Sequence, residues 1–143
     1  MAPAQIQAAL FIKLLAFHQG LAGQEITIHV VGDDKVAAEL KRVSGVGIGT
    51  GKLGGVTAGG IPPEKKPSAV YIGDPARLEA AVGYTRKNGM ISLTGLPDLV
   101  PRGVSLGVGI SGGKPRVLLN ISASRDEGIH WDPTILKVSL TYK

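Results

Sequence analysis

Two stretches of the chain repeat one order of features. Ile26 to Val31, ITIHVV, is short and β-branched, stops at Gly32-Asp33-Asp34, and runs into KVAAELKRV, where Val36, Ala37, Leu40 and Val43 recur at helical spacing. Ala69 to Ile72, AVYI, meets Gly73-Asp74-Pro75 and then ARLEAAVGYTRK, with Leu78, Ala81, Val82 and Thr85 on one face. Each reads as strand, turn, helix. In both the glycine eases the turn and the aspartate can cap orphan amides at the helix start, with Pro75 suited to the first helical position. Two such units predict a parallel sheet with right-handed crossovers. At 143 residues the chain has room for one core of ordinary size, so a single domain over 1–143 is expected.

The rest of the chain adds to that frame. Ala8 to Phe17 is apolar nearly all round, with Ile6, Leu10, Leu14 and Phe17 on one stripe and Phe11 and Leu15 beside it, and reads as a buried helix too short to cross a bilayer. It lacks a cationic lead-in and is interrupted by Lys13, so it is no secretory leader; one removed upstream is the expectation. Ser44 to Gly60 is dense in glycine and can hold one or two weak strands, around Val46 to Ile48 and Leu53 to Ala58. Met90 to Leu93 is a further short strand. Val104 to Ile110 and Pro115 to Ile121 flank Ser111-Gly112-Gly113-Lys114, the clearest hairpin in the chain. Ser122 opens a short helix through Glu127 that Gly128 ends, and Asp132-Pro133 caps another running through Leu136 toward Leu140. The expected fold is an α/β sandwich of two or three layers, with parallel βα units and an antiparallel C-terminal hairpin.

Composition narrows the chemistry. With no cysteine there is no thiolate, disulfide or cysteine-based metal site. His18, His29 and His130 have no spacing that puts two imidazoles on one helical face, so no metal centre is expected. The net charge of +5 is scattered rather than gathered into a basic tail, which gives nucleic-acid binding no support. Gly49, Gly51 and Gly54 fit a dinucleotide-type spacing, but LGGVTAGG is a poor helix, and Val46 and Leu53 break the phosphate-loop pattern; a bent or bulged strand is the better reading. No nucleophile elbow is present, and the adjacent Asp126 and Glu127 make a poor carboxylate pair. No catalytic residue and no cofactor are expected. Asp33, Asp34 and Asp74 lie at the carboxyl ends of the expected parallel strands, placed either to ring a small ligand pocket or simply to cap helices. Trp131 sits at an interhelical corner with Ile129, Ile135 and Leu136 nearby, either a core corner or the apolar centre of a partner-binding patch.

Several segments together resemble the YfiR-like proteins of Gram-negative bacteria. They are ALFIKLLAF at Ala9 to Phe17, VVGDD at Val30 to Asp34, and the run from Thr94 to Ser139 with its hairpin, Asn120, glycine-ended helix and final helix with Ile135-Leu136. The resemblance implies a periplasmic, non-enzymatic regulator; the best-known member represses a membrane-bound diguanylate cyclase by binding its periplasmic sensor domain, and so lowers cyclic-di-GMP signalling. It further implies a homodimer, no membrane insertion, and structural roles for Gly103, Asn120 and Gly128. Partner contact is expected from the segment Asn120 to Leu136, above all Asp126, Glu127, Ile129, Trp131 and Ile135. Three departures stand out: the absence of cysteine, Thr94-Gly95 where the family often has an acidic residue, and Asp132-Pro133 before the last helix.

Overall fold

The computed structural model describes residues 1–143. Eight strands form one mixed sheet, β1 (Glu25–Val31), β2 (Gly47–Ile48), β3 (Gly51–Ala58), β4 (Ala69–Ile72), β5 (Ile91–Thr94), β6 (Leu106–Ser111), β7 (Lys114–Asn120) and β8 (Leu140–Tyr142). Their order across the sheet is β2-β3-β1-β4-β5-β6-β7-β8. The five strands β3, β1, β4, β5 and β6 run parallel; β6 and β7 form the antiparallel hairpin, and β2 folds back antiparallel on β3. Helices α1 (Ala4–Leu15), α2 (Asp34–Arg42), α3 (Leu78–Asn88), α4 (Ile121–Asp126) and α5 (Ile135–Val138) complete the fold.

Side-chain alternation along the strands splits the interior into two cores. Ile26, Ile28 and Val30 of β1, Tyr71 of β4, and Ile91 and Leu93 of β5 pack with α1 and α2 on one face. Val70 and Ile72 of β4 pack with Leu78, Ala81 and Val82 of α3 on the other. The sandwich therefore has three layers, with a parallel centre buried on both faces, which is why its strands read as continuous apolar runs.

α1 begins at Ala4 and its sheet-facing side is Gln7, Ala8, Phe11, Leu14 and Leu15. Of the expected stripe Ile6, Leu10, Leu14 and Phe17 only Leu14 is fully buried; Phe11 and Leu15, expected beside it, are buried with Gln7 and Ala8. A helix apolar all round carries no periodicity to choose its face; here Gln7 chooses it, its amide donating to the Ala2 carbonyl at 2.8 Å while its Oε1 accepts from the buried Tyr71 hydroxyl. Phe11 meets the Tyr71 ring edge to face, centroids 5.8 Å apart. Leu10 and Phe17 are left half-buried on the flank of the helix.

The glycine-dense segment forms the bulged strand. β3 pairs parallel with β1, with a register shift between Ile26 and Thr27. There the chains approach so closely that a Cβ on Gly54 would stand 2.0 Å from Glu25 Cγ. Lys52 is exposed on this strand, so the fingerprint-like glycines serve strand packing.

The C-terminus departs from expectation. The helix expected to run toward Leu140 is four residues long, and the chain then turns into β8, which pairs parallel with β7. Val138 is followed by Ser139 in extended conformation (φ −125°, ψ 153°), which closes the helix and opens the strand.

Candidate functional surface at the C-terminal edge

The three aspartates at the strand ends come together, but as helix starts. Asp33 accepts from the Val36 amide at 3.1 Å and Asp74 from the Ala76 amide at 3.0 Å, while Asp34 is exposed in the first turn of α2. The two turns abut: a Cβ on Gly32, whose φ is +76°, would lie 2.6 Å from Asp74 Cβ. The crevice beside them is filled from the α1 side, since a Cβ on Gly95 would meet Gln7 Oε1 and the Tyr71 hydroxyl at 2.1 and 2.5 Å. Burial pushes the Tyr71 hydroxyl pKa well above its usual range, with Asp33 adding to the rise. Asp33 and Asp74 thus serve as helix caps at these strand ends, with Gln7 and Tyr71 packed against Gly95 nearby.

The residues expected to meet a partner divide between inside and outside. Glu127 is 1% exposed and points inward, which corrects its assignment to a contact surface. Its carboxylate accepts from Thr85 Oγ1 of α3 at 2.6 Å, from the Ser92 amide of β5 at 3.1 Å and from Ser105 Oγ just before β6. Ser92 Oγ in turn accepts from the Ser105 amide at 3.0 Å. Between Ser92 and Ser105, short of the first β5–β6 pair at Leu93 and Leu106, the carboxylate takes the place of a missing rung. Burial drives its pKa up, against hydrogen bonds from Ser105, Ser92 and Thr85 that pull it down. Asp126, the neighbour, is exposed and lies 3.8 Å from Arg86.

Ile129 and Ile135 are also buried, at 9% and 0% exposure, because both pack into the larger core. Both are nevertheless in the lining of an apolar groove that they share with Trp131 and Leu136. Trp131 is half-buried; its indole Nε1 donates to Ser124 Oγ at 3.0 Å and its ring lies 5.9 Å from that of His18. Backbone bonds from Gln19 to the His130 carbonyl at 2.8 Å and from Asp132 to the Phe17 carbonyl at 2.7 Å make this corner a clasp between the end of α1 and the C-terminal segment. His18 in the clasp is buried, which lowers its pKa. His29 is a packed strand residue, its Nε2 donating to the Gly60 carbonyl at 2.9 Å with Thr57 Oγ1 on its other nitrogen.

Asn120 joins the hairpin to α4. Its Oδ1 accepts from the Ala123 amide at 2.9 Å, capping that helix, and its Nδ2 donates to the Val100 carbonyl at 2.8 Å. Gly103 and Gly128 occupy positive φ, at 125° and 75°.

The apolar surface lies one step further along the chain than Ile129 and Trp131. Leu136, Val138 and Leu140 are 51%, 50% and 61% exposed. α5 forms a ridge between two apolar grooves. Leu136 lines one of about 460 Å³ with Leu119, Ile121 and Trp131; Val138 lines the other, about 580 Å³, with Leu10, Phe17 and Val117. Leu136 falls within the patch expected from the sequence; Val138 and Leu140 lie beyond it because that segment reads as helix, and the period of two shared by the three was the available signal.

Comparison with known proteins fits this arrangement of hairpin, capping asparagine and C-terminal segment. The model of the YfiR/HmsC-like family matches residues 4–139. The chain belongs to the YfiR/HmsC-like family. A conserved domain protein from Vibrio cholerae O1 biovar El Tor has the same fold, with a TM-score of 0.67 at 11% identity, over 100% of this chain and 61% of the other. The ABC domain in complex with L-Trp from Streptococcus pneumoniae superposes with a TM-score of 0.64 at 13% identity, over 97% of this chain and 60% of its own. At these identities the likeness is one of fold, and this YfiR/HmsC-like chain spans about three-fifths of each structure's length. The comparison with curated proteins finds no match. No helix of the chain is long and apolar enough to cross a membrane.

Proposed function

We propose that the protein is a periplasmic regulator that binds the extracytoplasmic domain of a membrane-anchored diguanylate cyclase and restrains its synthesis of cyclic-di-GMP. The observation that carries this reading is the family match, which takes in residues 4–139 and so both βα units, the hairpin and the C-terminal segment. The structure supports it with a surface suited to protein contact: a cluster of exposed aliphatic side chains on a short ridge, beside grooves that partner side chains can fill.

Restraint of this kind works by differential affinity. A regulator that holds the inactive conformation of the cyclase more tightly than the active one shifts the population toward it, by no more than that difference in affinity. The test is titration calorimetry of the protein against the isolated extracytoplasmic domain of a diguanylate cyclase encoded beside it. A saturable complex is expected. Absence of heat and of co-elution at concentrations well above the micromolar range would overturn the proposal.

A further inference from the structure

The charges around the apolar ridge are sorted by sign. The chain has 16 Lys and Arg and 11 Asp and Glu, yet α1, β6, β7, α5 and β8 carry Lys13, Lys114, Arg116 and Lys137 and no carboxylate side chain at all. The groove beside Leu136 has one charged residue in its lining, Arg125. The groove beside Val138 also has one, Lys13. A third, of about 210 Å³ on the other side of β8 beside Leu140, again has one, Arg116. Lys137 stands on the ridge itself, between Leu136 and Val138. None of these five cations is in an ion pair; the two salt bridges join Arg42 to Glu39 within α2, and Arg86 of α3 to Asp126, the neighbour of Arg125 on α4. Asp132, the carboxylate nearest Lys137 in sequence, accepts from the Thr134 amide and hydroxyl at 2.9 and 2.8 Å.

We infer that this face docks a protein surface whose apolar centre is ringed by carboxylates, with its side chains seated in the grooves on either side of α5. The inference deepens the regulator reading and takes from it only that the partner is a protein. Charge decides against a second copy of this chain as the occupant. An isologous pairing across a two-fold axis sets the cations Lys13, Arg125 and Lys137 of one copy against the same set of the other, and none of the three groove linings holds a carboxylate to relieve them. Shape decides against an anionic lipid surface. Beside the exposed ridge the apolar surface continues into grooves of about 460 and 580 Å³, which partner side chains fill and a level plane of headgroups does not. The unpaired cations are then the steering and register elements of the complex, and Leu136 and Val138 its apolar contacts.

The experiment uses the whole protein and two defined probes. One is a fluorescein-labelled helical peptide with a leucine stripe flanked by glutamates; the other is its lysine-flanked counterpart. The glutamate form is expected to bind at least about tenfold more tightly, to weaken by about tenfold or more when salt rises from about 50 to 500 mM, and to protect α1 and α5 from hydrogen exchange. Lys13→Glu/Lys137→Glu, both at exposed positions, is expected to invert the preference, whereas Lys41→Glu on α2 leaves it unchanged. Equal binding of the two peptides, an effect of Lys41→Glu as large as that of the double variant, tighter binding to phosphatidylglycerol vesicles than to the peptide, or a salt-promoted dimer through this face would each overturn the inference. These readouts stand apart from the cyclase titration. If the cyclase domain binds the wild type and Lys13→Glu/Lys137→Glu equally, this docking face is refuted while the regulator reading stands; failure of the cyclase domain to bind at all refutes that reading and leaves the peptide result to judge the face.

Discussion

Removing the Glu127 carboxylate separates its hydrogen-bonding role from its charge. In Glu127→Ala the Ser92 amide loses its acceptor inside the protein, and an unpaired buried donor costs about 1–3 kcal/mol. The Ser105 and Thr85 hydroxyls lose the same acceptor; Thr85 retains the Val82 carbonyl at 3.0 Å. Adding the small cavity left by the side chain, the variant is expected to lose about 2–4 kcal/mol, a fall in Tm of roughly 5–15 °C for a domain of this size. Glu127→Gln behaves differently. Thr85 Oγ1 has one hydrogen and two acceptors within reach, Val82 O and Glu127 Oε2. A glutamine amide donates to Thr85 Oγ1 and frees its hydrogen for Val82, while its oxygen keeps Ser92 and Ser105; the cost is expected to stay under about 1 kcal/mol.

The same network fixes the pH dependence. Burial raises the folded-state pKa of Glu127 above the ordinary 4.5, so the folded protein holds this proton more tightly than the unfolded chain. The stabilisation is complete below the unfolded pKa and is lost as pH rises through the folded one. Urea unfolding from about pH 4 to pH 8 is the assay. Wild type is expected to lose stability relative to Glu127→Gln as pH rises, with the glutamine variant catching up or overtaking. A glutamine variant as damaged as the alanine one at every pH, or a pH-independent difference between wild type and Glu127→Gln, would refute the reasoning.

Three further outcomes are expected from the geometry. Asn120→Ala removes both the α4 cap and the bond to the Val100 carbonyl, and urea melts should show a loss of about 2 kcal/mol. Gly32→Ala is expected to cost about 1–3 kcal/mol in thermal melts, because its φ is +76° and the new Cβ meets Asp74; Gly112→Ala, at φ +59° with nothing within 4 Å, should cost less. His18 has a folded pKa below its ordinary 6.5 through burial, so its stabilisation is present above pH 6.5 and is lost as pH falls through that value toward the folded pKa; unfolding of wild type against His18→Gln between about pH 8 and pH 5 should show this slope, opposite in sign to that of Glu127.

How much of the fold the residues reveal in advance depends on the range of the forces involved. The βα units were legible because the strand, the Gly-Asp turn and the helix face are local signals, and the hairpin because its turn chemistry is local. β8 was not: Leu140 to Tyr142 becomes a strand only because β7 offers a parallel edge, and Lys137 to Leu140 satisfies a helix equally well by propensity. Glu127 looked like one of two exposed neighbours, yet one further step around a short helix aims it at Thr85, Ser92 and Ser105, which lie 42, 35 and 22 residues away and share no spacing with it. The strand-end aspartates were readable as caps, whereas the filling of the space beside them by Gln7 depends on a contact 64 residues away with Tyr71. The apolar ridge illustrates the same limit, since exposure at Leu136 and Val138 goes with burial of Ile135 in the larger core rather than with anything in the segment itself.

The regulator reading meets its most direct test in the activity of the target. A full-length diguanylate cyclase encoded beside this protein, reconstituted in membrane discs with both sides accessible, is assayed for cyclic-di-GMP formation as the protein is titrated in. The expected result is a saturable fall in rate, with a midpoint that matches the affinity for the extracytoplasmic domain and moves to higher concentration in Leu136→Ala/Val138→Ala. An unchanged rate at concentrations that saturate the extracytoplasmic domain would contradict it.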